Sequence, residues 1–189
     1  MARSREQKAQ SHERIVQNAA AKFREVGLEG IGVAELMAAA GLTHGGFYSH
    51  FDSRDELVAE ALEWAFAENE RAKAKLPQSG PSALADYVDW YLSAEHRDGP
   101  SRGCTVAALA GDVGRASPTA REIFTQRLKA YLGWAANLIG RRKPCDDRAA
   151  VVISTIVGAL VLSRAVNDQM LSDHILRASR EQLRSWLKA

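Results

Sequence analysis

Apolar residues recur at helical spacing from one end of the chain to the other, and no strand-like alternation persists. The fold class therefore reads as all-α. A first helix from about Ser11 carries Ile15, Val16, Ala19, Ala20, Phe23 and Val26 on one stripe, with Gly27 as its C-cap. A second helix covers about Val33 to Ala40. Gly41-Leu42-Thr43 follows, and then a very short helix from His44 to about His50. A fourth opens with Ser53-Arg54-Asp55-Glu56, a capping box in which Ser53 and Glu56 satisfy free backbone N–H groups reciprocally. It continues through Leu57, Leu62 and Phe66 and ends before Pro77-Gln78-Ser79-Gly80-Pro81, the clearest linker in the chain. Further helices are expected over about 82–96, 104–114, 118–140, 146–169 and 173–188, with Ser117-Pro118 as an N-cap and N1 proline. About nine helices result. They divide into an N-terminal three-helix helix-turn-helix domain, residues 1–52, and a helical bundle, residues 53–189, connected through the helix over 53–75.

Val151, Val152, Ile153, Ile156, Val157, Leu160, Val161, Leu162 and Val166 surround most of one helix, which predicts burial on more than one side. Leu176, Ser179, Leu183, Trp186 and Leu187 form a stripe on the last helix. These two helices are the expected homodimer interface, although a monomeric core accounts for the same periodicity.

Composition adds limits. With 46% hydrophobic and 25% charged residues, the chain has the make-up of an ordinary globular protein. The N-terminus has no apolar leader, and the longest apolar stretch, Val151 to Leu162, is too short to span a bilayer. A cytoplasmic location without membrane association is therefore expected. Cys104 and Cys145 make neither a disulfide framework nor a Cys-x-x-Cys metal pair. A net charge of +2 does not advertise a nucleic-acid partner, and residues 1–56 hold seven Lys/Arg against eight Asp/Glu. Only Arg3, Arg5 and Lys8 suggest a basic arm.

Val33 to Phe51 has the form of a helix-turn-helix, in which the first helix braces the second so that a few side chains reach base edges. Leu36 and Phe47 would pack together, Gly41 supplies a left-handed turn residue, and Thr43 is placed to cap the reading helix. Gly45 and Gly46 cost about 1 kcal/mol each relative to alanine inside a helix, and close approach of the backbone to DNA is a physical reason to tolerate them.

The string from Val33 to Leu57, with Phe47-Tyr48-Ser49-His50-Phe51 followed by Ser53-Arg54-Asp55-Glu56-Leu57, resembles the signature of the TetR (tetracycline repressor) family, and the match covers roughly residues 11–66. The resemblance implies a repressor whose homodimer binds a palindromic operator in double-stranded DNA. An effector would change the spacing of its two reading heads. It also implies that Thr43 and His44 begin the recognition helix, that Tyr48 and His50 contact the DNA backbone, and that Arg54 reaches phosphate. Base reading then falls to Thr43, His44 and Ser49, with Gly45 and Gly46 giving proximity. Two positions depart from the family pattern: Gly32 replaces a common threonine, and Met37 a common alanine.

Within the second domain, Cys104 is placed at a helix start after Arg97 and Arg102. A helix dipole and cationic neighbours favour thiolate, the form that reacts with electrophiles. A small buried cysteine that only packs is the plainer reading. Gly103-Cys104-Thr105-Val106-Ala107-Ala108-Leu109 also resembles the repressors of N-ethylmaleimide reductase genes, a shorter likeness that implies an electrophile-sensing cysteine. Trp90, Tyr91, Phe124, Tyr131 and Trp134, with Trp64, Phe66 and Tyr87, are candidates to line an effector pocket or to form core. The expected function is a DNA-binding transcriptional regulator, a repressor released from its operator by a small-molecule or electrophile effector. It needs no cofactor or metal, and the chain is not read as an enzyme. The alternatives are a metal sensor using His96 and Cys104 with His174 or Asp98, and an effector-free architectural DNA binder. The near-neutral N-terminal domain argues against the latter. An enzyme pairing Cys104 with His96 lacks any visible orienting residue.

Overall fold

The computed structural model describes residues 2–79, 82–140 and 146–188. The linker positions Gly80 and Pro81, and Cys145, lie outside the described residues. The described chain is helical without strands: α1 (Ala2–Val26), α2 (Val33–Ala39), a 3-10 helix (His44–Ser49), α3 (Arg54–Lys73), α4 (Ala83–Tyr91), α5 (Ala94–Asp98), a second 3-10 helix (Pro100–Arg102), α6 (Thr105–Val113), α7 (Pro118–Leu138), α8 (Asp147–Ala165) and α9 (Gln169–Lys188).

α1 is longer than its apolar stripe predicts. It begins at Ala2, so the basic N-terminal residues form an extra helical stretch rather than an arm, with Arg5 and Lys8 exposed. Ile15, Val16, Ala19, Ala20 and Phe23 are buried against α3, but Val26 is 49% exposed because the chain turns away at Gly27, whose φ of 83° only glycine adopts freely. The α3 cap is half as expected. Ser53 Oγ accepts from Glu56 N at 3.1 Å, but the Glu56 carboxylate accepts from Asp52 N rather than from Ser53 N. The helix expected over 82–96 is broken at Leu92, because Ser93 caps a new helix by accepting from His96 N at 3.1 Å.

α8 packs on α6, α7 and α9 through Val152, Ile153, Ile156, Ala159 and Leu160, while Val151, Val161 and Leu162 stay exposed. Burial is thus one-sided, not all round. The helix extends beyond the apolar stretch seen in the sequence, and its 19 residues are, by length and composition alone, long and apolar enough to cross a membrane. Packing of the buried face within the bundle accounts for that composition. Leu176 and Leu183 anchor α9.

Candidate functional site

The N-terminal site is built by α1, α2, the first 3-10 helix and the start of α3. Gly41 takes a φ of 71°, as the turn requires. Leu36, Met37, Phe47 and Phe51 are buried beneath it, and Phe47 stacks on Phe51 at 5.4 Å. The expected recognition helix is a 3-10 helix instead. Its bonds run Gly46 N to Thr43 O and His50 N to Phe47 O, and two adjacent glycines in six residues offer too little propensity for an α-helix. Thr43 stands at the N-cap in extended conformation, but its hydroxyl caps nothing, so it remains exposed and free. A Cβ on Gly45 would meet nothing within 4 Å, and one on Gly46 would make ordinary contact with Met37 Cε at 3.7 Å and Thr43 Oγ1 at 3.9 Å. Internal packing therefore does not demand either glycine.

The surface of this segment carries Thr43, His44, Gly45, Tyr48 and Ser49, all exposed, with Tyr48 at 73%. Ser49 Oγ donates to Gly46 O at 2.7 Å, closing the segment on itself. His50 sits at its end with Nδ1 buried and unpartnered, 6.1 Å from His12 of α1. His12 stacks on Phe51 and pairs with Glu60 at 2.7 Å. Burial, then His12 and Lys8, hold the His50 imidazole below its ordinary range. Lys8 and His12 are residues the motif did not point to. They join the face because α1 extends further than its stripe. Arg54 is engaged at home rather than free for phosphate. Its guanidinium donates to the Leu28 and Ile31 carbonyls, pairs with Glu29 at 3.2 Å, and lies over Phe23. It thereby fixes the loop between α1 and α2.

A second site lies among α3, α4, α6 and α7. Phe66, Tyr87, Trp90, Tyr91, Cys104 and Tyr131 wall a cavity of about 30 Å³, which has room for one or two waters. Of the residues picked from the sequence, Phe66, Tyr87, Trp90, Tyr91, Tyr131 and Cys104 line it, and Trp64 does not. Phe124 instead packs edge-on against Phe66, and Trp134 against Tyr87 and Tyr131. Four polar lining residues, Asn69, Glu70, Lys73 and Arg127, escaped the sequence reading because they lie on the mixed faces of α3 and α7, remote in sequence from Cys104.

Cys104 is buried at 8% exposure and is the N-cap of α6. The backbone N–H groups there are already used. Cys104 N donates to His96 Nε2 at 3.0 Å, and Thr105 N donates to Asn69 Oδ1 at 2.8 Å. The expected cationic neighbours are also diverted. Arg97 is bound by Asp98 and Asp173, at 2.6 and 2.5 Å, and Arg102 is exposed. Arg164 is the cation that packs on this turn, donating to the His96 and Arg97 carbonyls. His96 is fully committed, because Nδ1 donates to Tyr91 O at 2.7 Å while Nε2 accepts from Cys104 N. That leaves neither nitrogen to serve as a base toward the thiol. Among the described residues no three His, Cys, Asp or Glu side chains come together as a metal site. His174 lies on α9, bonded to Arg177.

The family profile described as "Bacterial regulatory proteins, tetR family" matches residues 15–61, the segment that builds the first site. That segment carries the TetR-type helix-turn-helix signature. The "HTH-type transcriptional repressor DhaR" of Mycobacterium sp. (strain GP1) is 22% identical over 120 residues, 64% of this chain, and the match spans only 59% of that relative. A TetR transcriptional regulator from Chloroflexus aurantiacus J-10-FL superposes with a TM-score of 0.81 at 22% identity, covering 97% of this chain and 96% of the other. Escherichia coli NemR in its reduced form gives 0.78 at 18% identity, over 93% and 96%. At such identities the likeness is one of fold, so it establishes the TetR architecture and leaves the role of Cys104 to local chemistry.

Proposed function

We propose that this chain is a cytoplasmic transcriptional repressor of the TetR family. It grips a palindromic operator as a homodimer and releases it when a small molecule enters the α3–α7 cavity. Residues 1–52 read DNA, and 53–189 sense and dimerise. The observation that carries the DNA half is the exposure of Thr43, His44, Gly45, Tyr48 and Ser49 together on a segment whose glycines have no internal reason to be glycine. Thr43, His44 and Ser49 read bases, Gly45 and Gly46 let the backbone approach, and Tyr48 and His50 touch phosphates. Arg54 positions the α1–α2 loop and reaches phosphate only if it leaves its carbonyl partners.

α6 supports the release half. It starts at Cys104 on the cavity wall and ends beside Asp112, whose carboxylate accepts from Leu28 N at 3.0 Å in the loop after α1. Cys104 enters this reading as a wall of the cavity. A ligand that shifts α6 pulls on the reading domain and changes the population of DNA-competent spacing. For dimerisation, the exposed Val151, Ser154, Val161 and Leu162 lie on one face of α8 with Gly158 between them, and open space surrounds that glycine. No catalytic step is proposed.

The test is fluorescence anisotropy on labelled duplexes at fixed salt. Tyr48→Ala or His50→Ala should weaken binding on every duplex, whereas Thr43 or His44 substitutions should change sequence preference. Equal losses on all sequences from all four would overturn the division.

The same assay reads a pH effect. If phosphate contacts the protonated imidazole, the His50 pKa is higher in the complex than in the free protein, where burial lowers it. Binding then takes up a proton, and affinity rises as pH falls through the window between the two values, around and below 6.5, by about threefold to tenfold per protomer. His50→Gln should flatten that rise. An unchanged slope would move the proton to another group.

A further inference from the structure

Most hydrogen-bonding side chains around the α3–α7 cavity have at least one partner, and two donors on its wall, one buried and one half-buried, stand out as lacking an oxygen or nitrogen partner. Asn69 is saturated by Thr105 and the Gly103 carbonyl. Arg127 is held by Glu63 and Glu70. The Tyr87 and Tyr131 hydroxyls share one bond of 2.5 Å. That leaves the Tyr91 hydroxyl, on a side chain only 1% exposed, which has no oxygen or nitrogen partner and only the weakly bonding Cys104 thiol beside it. It also leaves Lys73, whose ammonium has no ion pair among the described residues and lies 4.6 and 4.9 Å from the ring centroids of Tyr131 and Trp134. A buried hydroxyl with only a thiol beside it is costly, and a half-buried ammonium between aromatic faces, with Glu70 nearby but no direct carboxylate contact, is an incomplete arrangement. Both are completed by one acceptor group carrying a negative charge.

We propose that the effector is a small aromatic carboxylate, with its ring among Phe66, Tyr87, Trp90 and Tyr131 and its carboxylate on Lys73 and the Tyr91 hydroxyl. The proposal rests on the reading of this cavity as the sensor site. Five aromatic residues in the wall favour a flat apolar body. The cavity is too small for such a ring as it stands, so entry requires a wall to move. Trp90, 38% exposed, is the side chain with room to do so. Trp90 stacks on His96 at 5.0 Å, and His96 accepts from Cys104 N, so displacing the indole disturbs the start of α6. Burial also lowers the Lys73 ammonium's pKa, with Glu70 pulling it back up, and a bound carboxylate would add to that pull.

The test uses tryptophan fluorescence of the full chain titrated with benzoate and phenylacetate, against the neutral benzamide and phenylacetamide. Saturable binding of at least one acid, about tenfold tighter than its amide, is expected. Lys73→Gln should level acid and amide, and Tyr91→Phe should weaken the acid about threefold to tenfold without lowering the unfolding temperature. Equal binding of acid and amide by the wild-type protein, or no saturation by either acid below about 10 mM, overturns the proposal. Operator affinity measured in the same samples separates the two claims. Tight DNA binding with no acid binding sinks the ligand class alone, while selective acid binding that leaves DNA affinity untouched sinks effector release alone.

Discussion

Phe47→Ala is expected to abolish operator binding by melting the reading segment, and Tyr48→Ala to weaken binding while leaving the fold intact. The two residues are adjacent, yet one is 1% exposed and the other 73%. Phe47 fills the space between α2 and the 3-10 helix and stacks on Phe51, with Tyr48 against its edge. Removing a fully buried phenyl ring costs about 3–5 kcal/mol through lost burial and the cavity left behind. A six-residue 3-10 helix containing two glycines has no intrinsic stability to offset that cost. Thermal unfolding by circular dichroism should therefore show a large drop for Phe47→Ala and almost none for Tyr48→Ala. If both variants melt alike, Tyr48 is a packing residue and its place at the DNA surface is lost.

The second large effect concerns the pair that fastens α1 to α3. Arg24 has a side chain only 1% exposed, and its Nε and Nη1 have no partner. Its remaining nitrogen meets Glu68 at 2.5 Å. Glu68→Ala leaves a buried guanidinium with no counter-charge and should cost about 3 kcal/mol, whereas Arg24→Met removes the charge itself and should cost much less. Combining the two should recover most of the loss from Glu68→Ala. Urea unfolding decides it, and greater damage from Arg24→Met than from Glu68→Ala would mean that the arginine acts by packing rather than by charge.

Sequence periodicity exposed the all-helical fold and the main helices because long amphipathic stripes such as Ile15 to Phe23 have only one stable partner geometry. Single capping residues decided what periodicity missed. Ser93 breaks one expected helix into α4 and α5, and Asp168, accepting from Leu171 N at 3.1 Å, starts α9 four residues before the apolar stripe suggests. The reading segment was legible because its chemistry is contiguous, from Gly41 to His50. Its 3-10 form was not, since the motif fixes residue order and not helical pitch. The cavity was legible only in its aromatics and Cys104. Lys73 and Tyr91 acquire their meaning from partners that are absent or distant in sequence, and Arg97 looks like a neighbour of Cys104 until α9 brings Asp173 to claim it. Linear proximity overstated that cation and understated Arg164, which reaches the same turn from α8.

The decisive measurement is the affinity of the purified protein for a palindromic duplex selected from random DNA, measured beside a scrambled duplex of equal composition at one salt concentration. A preference of about a thousandfold or more for the selected duplex is expected, reduced by substitution of His44. Near-equal binding to both duplexes, falling steeply with salt, would contradict it and make the N-terminal face a phosphate-binding surface without a code.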